Sequence, residues 1–521
     1  MSIKLLDCTL RDGGHQIQSQ FGISTIDAIT RGLEKANIDF IEIGFLKDGD
    51  WGKDFAVYNS IADVRAKTKQ LRNDIEYTLL VQQDQLNIDN LESYNGGVFK
   101  RIRVSFHDYD KDSGIAFCRK VISKGYMCHI NPINIVGYSD EEILALVKTA
   151  NKLGVSVFSM VDTFGAMTKD DMLRIFYLIN NNLDPKIGIG IHLHDNMLLA
   201  FSLAQTLAEI FPSNRTLIID ASLLGMGRDP GNLCIELIAD WLNKKYTARY
   251  DIDALLDLID TYIRPIKEKY PWGYSSAYAL SAQYNLHRSY GEHLMRKGKI
   301  RTKEIRHILS QVDKQKASRY NEQYIERLYE EYMNVKYDDA ANVEKLAMLL
   351  QSRRVLALAP GSSLNTHKSE IDEFILLNNP IVITVNFETD LFVSDYIFCS
   401  NIRRYEQLNT TSNATRICTS NIAASERDIV ISLNRIAYFN SEFWDNSTLL
   451  LFNLLDQIGV TRWTVAGFDG FRSYDDYAIS GYVMRETDYN SENEHIRTIL
   501  RSNFGRNTIV FLTPSLYKET L

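Results

Sequence analysis

Residues 7–16 form a stretch with an unusual density of side chains that can do chemistry. The stretch follows a short apolar run and precedes a helical pattern that begins near Ser24, so we expect a loop between a first strand and a first helix. A carboxylate beside an arginine and a histidine can hold a metal ion and stabilise an oxyanion, which makes Arg11, Asp12 and His15 candidate site residues. Two adjacent glycines allow backbone angles that other residues resist, so the loop should fold tightly over a small ligand. The alternative is a capped turn whose charges are solvated.

A second polar group follows the apolar residues 188–191. His192 and His194 are two positions apart, so on a strand their side chains point to the same face. Two imidazoles and a carboxylate from elsewhere, such as that of Asp12, make a mixed nitrogen and oxygen site that suits a divalent metal. A His-x-His pair by itself is weak evidence, and the assignment depends on its combination with the N-terminal loop.

Together, residues 9–16 and 192–196 resemble the metal-dependent TIM-barrel lyase superfamily, which includes 3-hydroxy-3-methylglutaryl-CoA (HMG-CoA) lyase. Within it, the 4-hydroxy-2-oxovalerate aldolase branch is the most similar. His15 lies three residues after Asp12, as in that branch, and residues 220–227 also fit it. The resemblance covers roughly the first 300 residues and leaves the last 170 or so outside it.

The resemblance implies a divalent cation held by Asp12, His192 and His194, with Mn²⁺ preferred and Mg²⁺, Co²⁺ or Zn²⁺ as alternatives. It implies that Arg11 binds the substrate and stabilises the oxyanion of an enolate. It also implies that His15 is the base for the substrate's 4-hydroxyl proton. The alternative for His15 is a loop histidine hydrogen-bonded to the backbone.

Two further positions follow from the resemblance. Asn232 matches a residue that reaches the metal in some relatives, and we assign it to substrate binding beside the metal. The related aldolases lend a tyrosine to the site from a helical segment, and by position Tyr278 is the better match, with Tyr274 as its rival. The chain has 28 tyrosines, so both can equally be packing residues.

The elements that must position these residues are short apolar runs that alternate with helical patterns. The predicted strands lie near Leu5 and at residues 39–43, 77–81, 101–104, 128–130, 155–158, 189–191 and 217–219. Eight strands alternating with helices predict a (β/α)8 TIM barrel, with a doubly wound open sheet as the alternative.

Polar residues near the carboxyl ends of nearly all these strands favour the barrel, because those ends form one face where active sites lie. They are Asp12, Glu42, His107, Asn131, Asp162, His194 and Asp220. His107 and Asn131 alone are better interpreted as helix caps or loop residues. Seven such positions on one face are hard to explain as caps alone.

The sequence predicts three parts: a catalytic barrel at 1–250, a helical segment that closes the barrel mouth at 251–350, and a Rossmann-like α/β domain of unknown role at 351–521. In the last part, residues 361–363 read Gly-Ser-Ser after a buried strand. This turn can offer backbone N–H groups to a phosphate or can be purely structural.

Bulk properties exclude several classes of protein. A net charge of -8 without a long basic run disfavours a nucleic-acid role. Six scattered cysteines favour reduced thiols in a cytoplasm over a disulfide framework. An early aspartate, Asp7, argues against a signal peptide, and no apolar run is long enough to span a membrane. A homo-oligomer is compatible with these properties.

Three functions remain open. The first is a metal-dependent aldolase that joins or splits a small 2-oxo acid and an aldehyde through a pyruvate-type enolate, with an appended domain that suggests carbohydrate biosynthesis. The second is a Claisen-type acyl-CoA synthase of the same superfamily, and the presence of His15 argues against it. The third is a non-catalytic scaffold for the C-terminal domain, against which the complete set of site residues speaks.

Overall fold

The computed structural model describes residues 2–68, 71–228, 230–409, 413–439, 443–472, 477–478, 489–505 and 508–520. The chain forms two compact units. The first holds the residues up to Ser289 together with Asp313–Tyr320, and the second holds Tyr290–Val312 and the residues from Asn321 onward. The boundaries near residues 250 and 350 that the sequence suggests stay predictions.

The first unit is built on a closed parallel barrel. Its strands are β1 (Ser2–Asp7), β2 (Phe40–Leu46), β3 (Val57–Tyr58), β4 (Glu76–Gln82), β5 (Arg101–Phe106), β6 (Met127–Pro132), β7 (Val157–Asp162), β8 (Gly188–Leu193) and β9 (Thr216–Ala221). They follow the order β1-β9-β8-β7-β6-β5-β4-β2, and pairing of β1 with β2 closes the ring, while the two-residue β3 adds to the edge of β2. The predicted eight-stranded barrel is therefore confirmed, and the open sheet is excluded.

Helices connect the strands. They are α1 (Ile23–Lys35), α2 (Ile61–Lys67), α3 (Lys111–Ser123), α4 (Asp140–Leu153), α5 (Lys169–Asn182), α6 (Ala200–Ile210) and α7 (Ile235–Lys245). Helix α4 shows why they form where they do: Ser139 and Glu142 make a reciprocal capping box at its start, and Gly154 ends it in the left-handed conformation. Its buried positions recur on one face, so the helix covers the barrel with an apolar stripe.

Short 3-10 turns occur in several of the segments that join or follow these elements. They are Gly13–Ile17, Ile88–Asn90, Asp108–Asp110, Ile135–Gly137, Leu223–Gly225, Lys314–Lys316 and Lys518–Thr520. The first and fifth of these frame the candidate site.

A helical region follows the barrel, as the sequence predicts. It comprises α8 (Ile252–Leu258), a π-helical turn (Ile259–Ile263), α9 (Arg264–Lys269), α10 (Ser276–Gln283), α11 (Ser289–Lys297), α12 (Thr302–Leu309), α13 (Glu322–Met333) and α14 (Ala340–Leu350). Across the described residues, no helix is both long and apolar enough to cross a membrane.

The second unit carries a seven-stranded parallel sheet. Its strands are β10 (Val355–Leu358), β11 (Ile381–Val385), β12 (Tyr396–Cys399), β13 (Thr415–Thr419), β14 (Ile429–Ile431), β15 (Trp463–Ala466) and β16 (Ile509–Phe511). Its helices are α15 (Ser363–Thr366), α16 (Lys368–Asn378), α17 (Ile402–Tyr405), α18 (Leu433–Ile436), α19 (Ser447–Gln457) and α20 (Tyr489–Asn503). The order β14-β13-β12-β11-β10-β15-β16 reverses between β10 and β15, as in a doubly wound fold. The predicted Rossmann-like domain is therefore confirmed.

The turn after β10 is structural. The Gly361 N–H donates to the Gly467 carbonyl, and both the N–H and the hydroxyl of Ser363 donate to the Asp469 carboxylate. A Cβ on Gly361 would lie 2.3 Å from the Gly467 oxygen, so the close approach of the two loops requires glycine. The backbone N–H groups of Gly361 and Ser363 already donate within the protein. The turn therefore fits the structural interpretation better than the phosphate-binding one.

Candidate active site

The barrel encloses a cavity of about 600 Å³ at the carboxyl ends of its strands. Five residues that the sequence singles out line it together: Arg11, Asp12, His15, His192 and His194. They come from the loop after β1 and from the end of β8, two strands that β9 separates in the ring, and they meet because parallel strands in a barrel bring their carboxyl ends to one face.

Asp12, His192 and His194 could hold a metal ion. The Asp12 Oδ2 atom lies 3.4 Å from His194 Nε2 and 4.0 Å from His192 Nε2, and all three side chains are buried. Burial by itself raises the pKa of Asp12, but Arg11 and the two imidazoles hold it well below its usual value. The carboxylate is therefore ionised and ready to bind a cation.

Each imidazole is oriented by a second partner. The His194 Nδ1–H donates to the Asp162 carbonyl at 3.0 Å, and His192 Nδ1 lies 3.2 Å from the Asp220 Oδ2 atom. Both contacts leave the Nε2 lone pairs facing Asp12, which is the arrangement that metal-binding histidines adopt. The pKa of His192 is lowered, mainly because the ring is buried. The ring is therefore neutral, as a metal-binding histidine must be.

Asn232 completes the metal-facing wall. Its Nδ2 donates to the Asp12 Oδ2 at 2.8 Å, while its buried Oδ1 has no hydrogen-bond partner among the described residues. Gly231 places it there: its φ of 94° is in the left-handed region, and a Cβ would lie 2.2 Å from the Gly225 carbonyl oxygen. An orphaned buried oxygen beside three metal-binding groups fits a cation at this position.

Arg11 is held rigidly beside the metal-facing carboxylate. Its Nε donates to the Glu42 carboxylate at 2.7 Å, and its Nη1 donates to the Asp12 carboxylate at 2.6 Å. Burial by itself lowers the pKa of Arg11, but these two carboxylates raise it above its usual value, so the charge is permanent. In the described part of the chain Nη2 makes no hydrogen bond, which leaves it available for a substrate oxygen.

A second buried arginine, Arg103, supports this arrangement and was not singled out from the sequence. On β5, it donates to Glu42 at 3.0 Å and to both Asp220 and Asn131. It thus connects the partner of Arg11 with the partner of His192. The sequence did contain a signal for this role. Arg103 is a charged residue inside the apolar run Ile102–Val104 of a buried strand, and a buried charge requires a partner.

We expect Arg103→Met to destabilise the barrel by about 3 kcal/mol, because it leaves two buried carboxylates with one cationic partner fewer. Urea denaturation followed by circular dichroism measures the change. Arg174→Met is the matched control, since Arg174 pairs with Asp140 on the surface, where both side chains are about half exposed. It should cost less than about 1 kcal/mol. Equal losses in the two variants would contradict a structural role for the buried network.

His15 lies at the rim of the cavity on the same loop as Arg11. Its Nε2 is 3.9 Å from the Asp12 Oδ1 atom, and Arg228 Nη2 lies 3.2 Å from its Nδ1. Arginine can only donate, so Nδ1 accepts and the proton of the neutral ring is on Nε2, facing the metal ligands. Burial and then Arg228 lower the pKa of His15, so the ring is neutral at pH 7.

The two glycines of this loop serve a purpose other than the one expected. Gly13 and Gly14 have no left-handed backbone angles. A Cβ on Gly14 would lie 2.9 Å from the Ser19 hydroxyl, and one on Gly13 would lie 3.0 Å from Met226. The expectation of special backbone angles is wrong, because the loop needs small residues for close packing.

The structure does not bring the predicted tyrosines to this cavity. Neither Tyr278 nor Tyr274 is among the described residues that line it, and Tyr274 is 60% exposed. A catalytic role for Tyr278 stays a prediction. The region after the barrel instead contributes His287 and Arg288 to the lining. No local pattern marks these two residues, since they lie outside the motifs.

The structure is thus a TIM barrel that carries two imidazoles, a carboxylate and an arginine–histidine loop, and so a candidate metal site, at the carboxyl ends of its strands. Residues 2–261 match the HMGL-like family, and the barrel belongs to that family. The resemblance stated from the two motifs is therefore confirmed.

The curated sequence relatives are named for enzymes that make or break carbon–carbon bonds. The chain is 24% identical over 280 residues to the 4-hydroxy-2-oxovalerate aldolase of Moorella thermoacetica, covering 51% of this chain and 78% of that protein. It is 26% identical over 258 residues to the oxaloacetate decarboxylase of Mycobacterium tuberculosis, covering 49% and 74%. The solved structure of HMG-CoA lyase from Brucella melitensis matches with a TM-score of 0.41 and 16% identity, covering 51% of this chain and 99% of that one.

Proposed function

We propose that this protein is a divalent-metal-dependent aldolase that forms or cleaves a carbon–carbon bond through a pyruvate-type enolate. The observation that carries the proposal is the meeting of Asp12, His192 and His194 with Arg11 and His15 in one cavity. A cation bound by the first three residues supplies Lewis-acid stabilisation of the enolate oxygen of a 2-oxo acid. The oxygen and imidazole ligands suit Mn²⁺ or Mg²⁺ and do not exclude Co²⁺ or Zn²⁺.

Arg11 has the geometry to stabilise the same developing charge. Its Nε and Nη1 are fixed by carboxylates, so its Nη2 is held in one orientation before any substrate binds. A preorganised donor of this kind stabilises an oxyanion without having to reorganise during the reaction. Asn232, with its unpaired Oδ1, faces the metal ligands and is placed to bind substrate or cation beside them.

His15 is the group that acts on the aldehyde side of the bond. In the cleavage direction its Nε2 takes the 4-hydroxyl proton, which gives an imidazolium with a proton on each nitrogen, and in the synthesis direction this imidazolium returns the Nε2 proton to the aldehyde oxygen. Both directions require a proton on Nδ1, so the Arg228 guanidinium that contacts Nδ1 must turn away from it when the ring takes part.

The test is whether pyruvate exchanges its methyl protons in deuterated buffer, measured by proton NMR without any acyl-CoA. We expect exchange with added Mn²⁺ and loss of exchange with a chelator. His15→Ala should lower aldol cleavage by about 10²–10⁴-fold while lowering exchange much less, because its role concerns only the 4-hydroxyl proton. His307→Ala, at an exposed position of α12, should change neither rate.

Two outcomes would reject the aldolase. Turnover of an acyl-CoA thioester without pyruvate exchange would favour the Claisen-type synthase. Undiminished exchange in metal-free protein would show that the three ligand residues do not hold a required cation.

A further inference from the structure

The barrel cavity is much larger than the smallest partners of the proposed reaction require. Its volume is about 600 Å³, and pockets of roughly 300–1,000 Å³ bury ligands of drug size. Pyruvate bound beside Asp12, His192 and His194, together with a two-carbon aldehyde, would leave most of this space empty. The side chains that line the remaining part indicate what fills it.

The wall opposite the candidate metal ligands is formed by the ends of β2 and β4. In the ring, β4 lies four strands from β8 in either direction, so Gln82 at the end of β4 is on the side of the mouth opposite His192. Leu80 and Gln82 both line the cavity, as expected for residues two apart on one strand. Phe45 lies on β2, between β1 and β4, with its ring 5.4 Å from the His15 ring. A chain attached to the aldehyde carbon can therefore extend from His15 along Phe45 towards Gln82.

Three aromatic rings, which we call the aromatic wall, form an apolar surface on this side of the cavity. Phe45, Trp51 and Phe55 all line it, and the Trp51 and Phe55 rings are 6.0 Å apart. The Trp51 ring is fixed, because its Nε1 donates to the carbonyl groups of Lys47 and Asp48, each at 3.3 Å. Trp51 and Phe55 are half-buried. Aromatic surface of this kind packs against the C–H groups of a ligand.

Gln82 and Gln85, which we call the amide pair, supply polar groups on the same side. The Gln85 Nε2 donates to the Gln82 Oε1 at 3.2 Å. The Asp48 N–H donates to the Gln85 carbonyl at 2.8 Å, which holds the loop that carries Trp51 against the loop that carries the amide pair.

The amide pair has one donor and one acceptor to spare. Within the described part of the chain, the Gln82 Nε2 donates to no group and the Gln85 Oε1 accepts from none. Two primary amides that share one hydrogen bond always keep one such nitrogen and one such oxygen, whichever of the two is the donor. A hydroxyl group, which both donates and accepts, matches this combination.

We propose that the acceptor aldehyde of this enzyme is an aldose, whose C–H groups pack on the aromatic wall and whose hydroxyl groups bind the amide pair. The inference rests on the proposed aldolase function and names the substrate class of the same site. An aldose carries apolar C–H groups and hydroxyl groups along one chain, so it satisfies both parts of this side of the cavity. An alkanal would leave both amides without a partner. An ionised carboxylate can only accept, so it would leave the Gln85 Oε1 without a donor.

The chemistry balances without a further reactant. Pyruvate loses one methyl proton, the resulting carbon forms a bond to the aldehyde carbon, and the aldehyde oxygen gains one proton. The product is a 4-hydroxy-2-oxo acid that carries the remaining hydroxyl groups of the aldose. The aromatic wall and the amide pair act only in binding.

The first experiment needs no variant and compares erythrose with butanal, two aldehydes of equal chain length, in condensation with pyruvate. Both are supplied at the same concentration of free aldehyde, measured by proton NMR. We expect kcat/KM to be roughly tenfold higher for erythrose, the size of effect expected from two neutral hydrogen bonds. The ratio should not change with ionic strength, because the recognition involves no charge. Equal values for the two aldehydes, or a higher value for the anionic succinic semialdehyde than for erythrose, would overturn the aldose.

Variants of the amide pair assign the preference to these two side chains. Methionine has nearly the length and volume of glutamine but no comparable donor or acceptor. In Gln82→Met and Gln85→Met the ratio of kcat/KM between erythrose and butanal should fall about fivefold each. Gln205→Met, at a half-buried position of α6 that does not line the cavity, is the matched control and should leave the ratio unchanged. A ratio that both variants of the amide pair leave unaltered overturns the assignment.

Trp51→Ala tests the aromatic wall separately. It should lower kcat/KM roughly tenfold for erythrose and butanal alike, because both chains lose the same apolar contact. Trp241→Ala, at a half-buried position of α7 outside the cavity lining, removes the same ring elsewhere in the barrel unit and should lower neither value by more than about twofold. Wild-type values in the Trp51 variant would show that the acceptor chain does not lie along this wall.

Failure of this inference and failure of the proposed function give different results. If wild-type protein exchanges pyruvate protons but uses butanal as well as erythrose, the aldolase stands and the aldose is wrong. If it does not exchange pyruvate protons at all, the proposed function itself fails and the inference falls with it.

Discussion

Asp12→Asn should lower turnover on the order of a thousandfold or more and strip the protein of its divalent metal. The asparagine removes the only carboxylate among the three residues that could hold the ion, and leaves only the two imidazoles. Losing Lewis-acid stabilisation of several kcal/mol translates into a rate loss of this size. Elemental analysis after purification with added Mn²⁺ measures the metal, and pyruvate exchange measures the activity.

The control for this substitution is Asp112→Asn, at an exposed position in the first turn of α3. It removes the same charge from the same unit and should keep metal content and activity. Circular dichroism should show that the Asp12 variant remains folded, since Arg11 keeps Glu42 as a partner. An Asp12→Asn protein with normal metal content and normal exchange would remove the basis for the proposed site.

Arg11→Lys should lower both pyruvate exchange and aldol cleavage by about 10²–10³-fold, the loss typical of removing one oxyanion donor. Lysine keeps the charge but cannot bridge Glu42 and Asp12 while presenting a third, oriented donor to the substrate. The shared loss is the diagnostic feature, because the enolate is common to both reactions. His15→Ala, by contrast, is expected to separate them.

Arg31→Lys is the matched control, as Arg31 pairs with Asp27 on the exposed face of α1. Both rates should stay within twofold of the wild type, since exposed pairs contribute roughly 0–1 kcal/mol. Should Arg11→Lys lose cleavage but keep full exchange, the enolate is stabilised elsewhere and Arg11 acts on the aldehyde instead.

Much of the fold could be predicted because it is encoded locally. The predicted barrel strands overlap β1, β2 and β4–β9, and the buried strand predicted before residues 361–363 is β10. Apolar runs of strand length separated by amphipathic stretches carry this information within a few residues. The topology then follows, because parallel strands joined by helices have few ways to close.

The candidate metal ligands could also be identified from the sequence. His192 and His194 share a face because strand side chains alternate, and Asp12 follows the first strand at its carboxyl end. A barrel brings such ends together whatever its detailed packing. That is why three residues from two distant stretches, chosen from their motifs and the family resemblance, have ligand atoms within 4.8 Å of one another.

Other features were decided only by the tertiary structure, because they depend on contacts between residues far apart in the chain. Arg103 meets Asp220 across 117 positions, and Arg228 meets His15 across 213. No local pattern marks Arg228 as a partner of His15, nor places Tyr278 outside the cavity lining.

The sequence by itself thus determined the barrel, the second α/β domain and the candidate metal ligands, since periodicity and spacing are local properties of the chain. The tertiary structure alone decided which nitrogen of each histidine faces Asp12, because the Asp162 carbonyl and the Asp220 carboxylate select it from neighbouring strands. It also decided that Arg103 joins the partner of Arg11 to the partner of His192, since these side chains come from strands far apart in the chain.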